Sequence, residues 1–236
     1  MRSRLLRSAL VLALLGAGAV PPLAAQAVAT APREQDWVAF LGPFPQPGSE
    51  AEHEDVAVLL WLQRTRTRQD VARALAEVTP EPGLFSGVAG VDLASSRFAL
   101  TRALLDAAAK DAGRIGWELK QHFRRPRPFL ADERITPAVE RDRSFSYPSG
   151  HGVYGVVTAA VLADLEPERR EGLLEFGRQL GNDRVMAGVH NPSDVAAAQR
   201  LGAALVARWL ADPAHRRRVE EARVAEWGPK LAINNK

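Results

Sequence analysis

The sequence predicts an all-α fold: a single-domain helical bundle. Three observations predict it. Val, Ile, Thr and aromatic residues nowhere alternate over a strand-length run. Apolar residues recur at spacings of three, four and seven through the long middle segment. The breaks between helical segments are short and carry Pro, Gly, Asn or Ser, which favours one packed bundle.

In chain order, the first element is a leader. MRSRLLR is basic, SALVLALLGAGAV is apolar but short for a membrane span, and PPLAAQA closes on small residues at Ala25 and Ala27. That layout predicts a secretory signal peptide over residues 1–27, and with it a periplasmic or secreted protein without stable membrane insertion after cleavage. Residues 28–53, rich in Pro, Gly and Gln, predict an extended arm, with Trp37 and Phe40 read as core aromatics. Residues 54–236 are then the helical domain. Its first helix is expected from Glu54 to Val78, with Val58, Leu59, Leu62, Val71 and Leu75 as apolar positions. Pro80, Pro82 and the glycines that follow break it.

Ser95 or Ser96 caps a long helix through about Phe123, with Phe98, Leu105, Ala109, Ala112, Ile115 and Leu119 on one face. Pro126 and Pro128 make the next stretch a loop. A third helix is expected from about His151 to Leu165, and a fourth from Pro167 toward Gly188. After the interruption at Asn191-Pro192-Ser193, a fifth runs to about Leu210 and a sixth from Pro213 to Trp227.

Charge and composition narrow the function. Of 236 residues none is cysteine, so thiol nucleophiles, cysteine metal sites and disulfides are excluded. The formal charge of +3 falls to zero once the three leader arginines are removed. General nucleic-acid binding loses its electrostatic support, and any anion site must come from local clustering.

Three clusters carry chemistry. KQHFRRPRP places Lys120 and Arg127 close together, and such cations repel one another unless an anion neutralises them. SYPSGHG puts the Ser149 hydroxyl, the Gly150 amide and the His151 imidazole at a helix start, where unpaired N–H groups and the helix dipole favour an anion. GNDRVMAGVHNPSD adds Arg184 and a His190/Asp194 pair four residues apart. If Ser193 caps the next helix, Asp194 reaches back to accept the His190 N–H and leaves the other ring nitrogen free to attack. Each cluster alone has a plainer reading: a solvated basic loop, a Ser-Gly turn with a surface histidine, a helix cap near a histidine. Together they supply what phosphoryl transfer needs: fixed cations, an in-line nucleophile and an acid for the leaving group.

The ordered pattern of Lys120, Arg127 and Pro128, then Pro148-Ser149-Gly150-His151, then Arg184, His190 and Asp194 resembles the type 2 phosphatidic acid phosphatase (PAP2) superfamily. LFSGVAG, RRPRPF, YPSGHG and PSDVAAAQRLGAALVA are similar to the exported bacterial class A acid phosphatases. The resemblance implies the PAP2/haloperoxidase bundle, hydrolysis of phosphate-ester small molecules without metal or other cofactor, and assembly into dimers or larger. It implies that His190 attacks phosphorus, Asp194 orients it and His151 protonates the leaving alkoxide. Lys120, Arg127, Ser149, Gly150 and Arg184 would hold the phosphoryl oxygens. Two positions depart: Asp183 stands where the family has a serine that donates to phosphate, and Gly152 where class A members have threonine. Asp183 is therefore a candidate modulator, repelling a dianion if it points inward, or pairing with Arg184 or Lys120 if it turns away.

Four other readings compete. A vanadium-dependent haloperoxidase shares the fold and anion site and would oxidise halide with peroxide. A soluble lipid phosphatase would prefer phosphatidate to nucleotides. An exported anion-binding protein disabled by Asp183 would bind phosphate without turnover. A zinc site on His151, His190 and Asp194 is opposed by the surrounding cations.

Overall fold

In the computed structural model, which describes residues 37–228, every regular element is helical. The expected signal peptide and the first part of the arm lie outside the described residues. The helices are α1 (Trp37–Leu41), α2 (Glu50–Thr65), α3 (Arg68–Ala76), α4 (Ser86–Ala89) and α5 (Ala99–Phe123). They continue with α6 (Pro128–Ala131), α7 (Gly150–Leu165), α8 (Arg170–Met186), α9 (Pro192–Ala211) and α10 (Pro213–Glu226). Among these described residues, no helix is long and apolar enough to cross a membrane.

Two expectations at the N-terminal side are corrected. The arm is not wholly extended: Trp37–Leu41 forms a helical turn whose Trp37 and Leu41 are buried, and α2 already starts at Glu50, capped by the Ser49 hydroxyl. The single helix expected from Glu54 to Val78 is two. Arg66 leaves helical conformation at φ −57°, ψ 132°, and Thr67 opens α3 with a capping box to Asp70. Val58 and Leu75, read as apolar positions of that helix, are exposed.

The long helix follows its reading. Leu105, Ala112, Ile115 and Leu119 are buried along α5, with Ala109 at the margin. It ends at Arg124 in the left-handed conformation, φ 50°, which turns the chain sharply into the arginine-rich loop. Pro128 then starts the one-turn helix α6, a place where its missing N–H costs nothing.

Helix α7 is apolar on nearly every side and sits at the centre, packed on α5, α8 and α9. Its pairing with α8 brings the functional segments together. A Cβ on Gly155 would lie 2.1 Å from the Gly177 carbonyl oxygen, and one on Gly181 would lie 3.1 Å from the Gly152 Cα. The two backbones therefore touch, and the register is antiparallel. The N-terminus of α7, with His151, is brought beside the C-terminus of α8, with Arg184. Gly152 itself has no room for a threonine, because its Cβ would stand 2.8 Å from that of Ala198.

Candidate active site

Helix α5 delivers Lys120 in its last turn, and the loop beyond delivers Arg127. The α7 N-terminus delivers Gly150 and His151. The tight turn after α8, with Gly188 at φ 76°, delivers His190. In that turn the Val189 and His190 amides both return to the Arg184 carbonyl, at 3.1 and 3.3 Å, so the arginine and the histidine are set as one unit. Lys120, Arg127, Gly150, His151, Arg184 and His190 line one cavity of about 410 Å³.

Ser149 and Asp194 stand behind its wall, both fully buried. The Ser149 oxygen accepts the Gly152 amide at 3.3 Å as the N-cap of α7, which leaves its hydroxyl proton to donate. The cap of α9 is Asn191, not Ser193. Asp194 is then the third residue of the helix, closing a capping box with Asn191. Its reach toward the histidine is as expected: the His190 Nδ1–H donates to Asp194 Oδ2 at 3.3 Å. With that proton so placed, Nε2 keeps its lone pair and accepts from Arg127 Nη1 at 2.8 Å.

Burial governs the protonation states. It pushes His190 down to about 3, against the hydrogen bond to Asp194, so the ring is neutral over most of the pH range. Burial and then the Arg184 charge push His151 down to about 4, against the Glu77 and Val78 carbonyls that take its Nε2 at 3.0 and 3.2 Å. Lys120 falls to about 7 through burial and the neighbouring Arg127. Burial would raise Asp194, but its bond to His190, the Arg125 charge and the Asn191 amide outweigh that and hold it at about 2.

Asp183 neither points into this cavity nor pairs with Arg184 or Lys120. Its carboxylate takes Arg73 Nε and Nη2 at 2.8 and 2.7 Å, with Gln179 Nε2 at 2.9 Å. It lines a separate cavity between α2, α3, α8 and α9. Asp183 is nearly inaccessible, and a buried carboxylate is stable only with such partners.

Sequence reasoning missed a second layer. Arg125 bridges Asp194 Oδ1 at 2.6 Å and Asp55 Oδ2 at 2.9 Å, and also donates to Ser193 Oγ at 2.7 Å. Arg127 is held by the Ser144 carbonyl, the Ser144 hydroxyl and the Asp142 carboxylate. Arg125 belongs to the noticed basic run, so its type was visible. Asp55 lies 70 residues away and gave no local signal. A second groove of about 360 Å³, which shares Lys120, Ser144, Gly150 and His151 with the cavity, runs along α5 and α7 past Pro80, Gly113, Gly116, Trp117 and Tyr154.

Fold and site together define an all-helical protein with a cation-lined cup shared by two histidines. Residues 99–218 match the PAP2 superfamily, and the chain belongs to that family. It is 36% identical over 108 residues to a non-specific acid phosphatase of Salmonella typhimurium, a match spanning 44% of this chain and 43% of that protein. It is 28% identical over 197 residues to a non-specific acid phosphatase of Providencia stuartii, spanning 80% of this chain and 79% of that one. An acid phosphatase of Zymomonas mobilis is 30% identical over 203 residues, spanning 80% and 74%. A looser likeness, with a TM-score of 0.49 and 18% identity over 73% of this chain and 88% of the other, is to a transmembrane PAP2-type phosphatidylglycerolphosphate phosphatase of Bacillus subtilis. The expected resemblance to acid phosphatases of this family is borne out by the sequence relatives.

Proposed function

We propose that the protein is an exported phosphomonoester hydrolase acting through a phosphohistidine on His190, with protein cations in place of a metal. The observation that carries this reading is the His190–Asp194 pair, whose Nε2 lone pair is presented to the cavity of Lys120, Arg127 and Arg184.

In the first step Nε2 attacks phosphorus and the ester P–O bond breaks. The departing alkoxide takes a proton from His151, which then stands neutral. In the second step His151 takes a proton from water, the oxygen attacks phosphorus, and the N–P bond breaks to release phosphate and restore His190. Because the His151 Nε2 sits on two carbonyls, Nδ1 is the nitrogen that exchanges the proton. A bound dianion raises the His151 pKa from its empty-site value by offsetting the Arg184 charge. Asp194 keeps the attacking tautomer and balances the positive ring as it forms.

Arg127 lies on the Nε2 lone pair, so the incoming phosphoryl group must draw that guanidinium onto its own oxygens before attack. The alcohol half of the ester then lies along the groove past Trp117. Export follows from the basic, apolar and small-residue layout of residues 1–27. Asp183 paired with Arg73 gives no cause to read the site as disabled.

His190→Ala is the direct test. On a chromogenic phosphate ester the variant loses turnover by at least about a thousandfold, the scale set by removing a nucleophile. Undiminished turnover would falsify the mechanism.

A further inference from the structure

Glu77 is absent from the mechanism above, yet it sits where the phosphate clamp and the general acid meet. It caps the C-terminal end of α3 and is 3% exposed. Its backbone carbonyl takes the His151 Nε2 at 3.0 Å. Its carboxyl lies 3.5 Å from Arg184 Nη2, long for a charge-assisted hydrogen bond. The same Nη2 donates to the Ala74 carbonyl at 2.6 Å. Arg184 Nε is buried with no hydrogen-bond partner among the described residues. The guanidinium is thus tethered to α3 at one end and incompletely satisfied at the other, beside a carboxyl group that competes with any phosphoryl oxygen for it.

Several charged or titratable groups face this carboxyl. Arg73 comes from its own helix, itself bound to Asp70 and Asp183. Asp183 and Arg184 come from α8, while His151 of α7 meets the Glu77 backbone carbonyl rather than the carboxyl. Burial first, and then the Asp183 charge, raise Glu77 to about 7, against the pull of Arg184 and Arg73. A proton therefore resides there under acid conditions and leaves as the medium becomes alkaline.

We propose that Glu77 is a positioning residue for the phosphate clamp. Ionised, it draws Arg184 back toward α3; protonated, it frees the guanidinium for a phosphoryl oxygen. Grip on the anion is thereby coupled to a proton held outside the reacting atoms. Asp183, where relatives of the resembled family have serine, takes part by keeping that proton on Glu77. The proposal rests on the reading of the cavity as a phosphate site.

The test is calorimetric titration of inorganic phosphate into the full chain and into Glu77→Gln, which imitates the protonated form. At about pH 8, one unit above the Glu77 transition, the variant binds about tenfold more tightly than the wild type, and at about pH 5.5 the two agree within about twofold. With a chromogenic ester, the advantage at about pH 8 falls on KM and leaves kcat within about twofold. An equal ratio at both pH values, as a structural role alone would give, overturns the proposal. So does an effect confined to kcat.

Asp183→Asn is the second variant, and serves if Glu77→Gln fails to fold. It moves the pH at which phosphate affinity falls to the acid side, and an unmoved midpoint overturns the proposal. A pH-dependent binding difference without ester turnover in any protein sinks the phosphatase reading alone. Absence of phosphate binding by the wild type sinks both.

Discussion

Arg125→Leu is the substitution with the largest consequence that the family motif does not announce. Arg125 is buried at 4% exposure and joins two buried carboxylates, Asp194 at 0% and Asp55 at 5%. Breaking one buried pair by deleting a partner costs about 3–5 kcal/mol, because the remaining charge stays desolvated. Here one deletion strands two acids, so the loss belongs at the upper end. Against a total of about 5–15 kcal/mol it is a large fraction of the fold's stability. With a urea m-value of about 2–3 kcal/mol/M, the unfolding midpoint falls by about 1.7–2.5 M while m is unchanged.

The sign with pH follows from Asp194, whose folded pKa is held at about 2, below the ordinary aspartate value. Its contribution, about 2 kcal/mol, is present above the unfolded pKa and disappears as pH falls through the folded one. In the variant the acid no longer has Arg125 to favour its ionised form and regains a proton earlier. The gap between wild type and variant is therefore widest near neutrality and narrows as pH falls, because the variant's stranded acid takes up its proton at a higher pH than the wild type's. The assay is urea unfolding followed by far-UV circular dichroism at several pH values. A midpoint shift under about 0.3 M near neutrality would refute the view that this arginine neutralises both carboxylates. Arg125→Lys recovers only part of the loss, since an ammonium cannot offer a planar fork to two acids at once.

Two further predictions concern catalysis. kcat/KM rises as His190 loses its proton near about 3 and declines as His151, at about 4, and then Lys120, at about 7, lose theirs. Because a bound anion raises both of the latter groups, the alkaline limb of kcat lies at higher pH than that of kcat/KM, and coincident limbs in initial-rate profiles would contradict it. Gly113→Leu tests the groove: a Cβ there meets nothing within 4 Å, so the side chain enters open space and the helix gains propensity. KM for bulky aryl phosphates rises several-fold, glycerol phosphate turnover stays within about twofold, and thermal stability does not drop, whereas equal effects on both esters would place the leaving group elsewhere.

Legibility in the sequence tracked chain distance. Helices α5, α7, α9 and α10 were readable because their signals are local: apolar periodicity within, and Pro, Ser or Asn at the ends. The break at Thr67 is also written locally, as Thr67 and Asp70 three apart, but Val71 and Leu75 continue the apolar pattern across it. The cup residues could be named from motif spacing, and the antiparallel α7–α8 contact explains why that spacing works: Gly155 and Gly177 let Arg184 arrive beside His151. What could not be read was the partner of each buried charge. Asp183 meets Arg73 across 110 positions, and Arg125 meets Asp55 across 70. No periodicity encodes a contact between separate helices. The expected partners of Asp183, Arg184 and Lys120, were near in sequence or in the motif; the actual one belongs to a helix that had been merged with its neighbour.

That second layer explains how a cup of cations persists without its anion. Buried guanidinium groups are costly unless paired, and the buried arginines around the cup are paired from behind: Arg125 by Asp55 and Asp194, Arg127 by Asp142, and Arg184 by Glu77. Among these, Arg184 is the one whose opposing acid stands farthest off, at 3.5 Å, and whose Nε has no hydrogen-bond partner among the described residues. Folding leaves that arginine underpaired, which is what the proposed phosphate clamp would use. Donors that are desolvated and oriented in advance need no reorganisation when charge develops on the oxygens, which is how preorganised sites lower a barrier. Differences among members of such a fold can then arise behind the motif, in the acids that decide how firmly each arginine is already held. In this chain the proposed positioning role puts Glu77 and Asp183 among those acids.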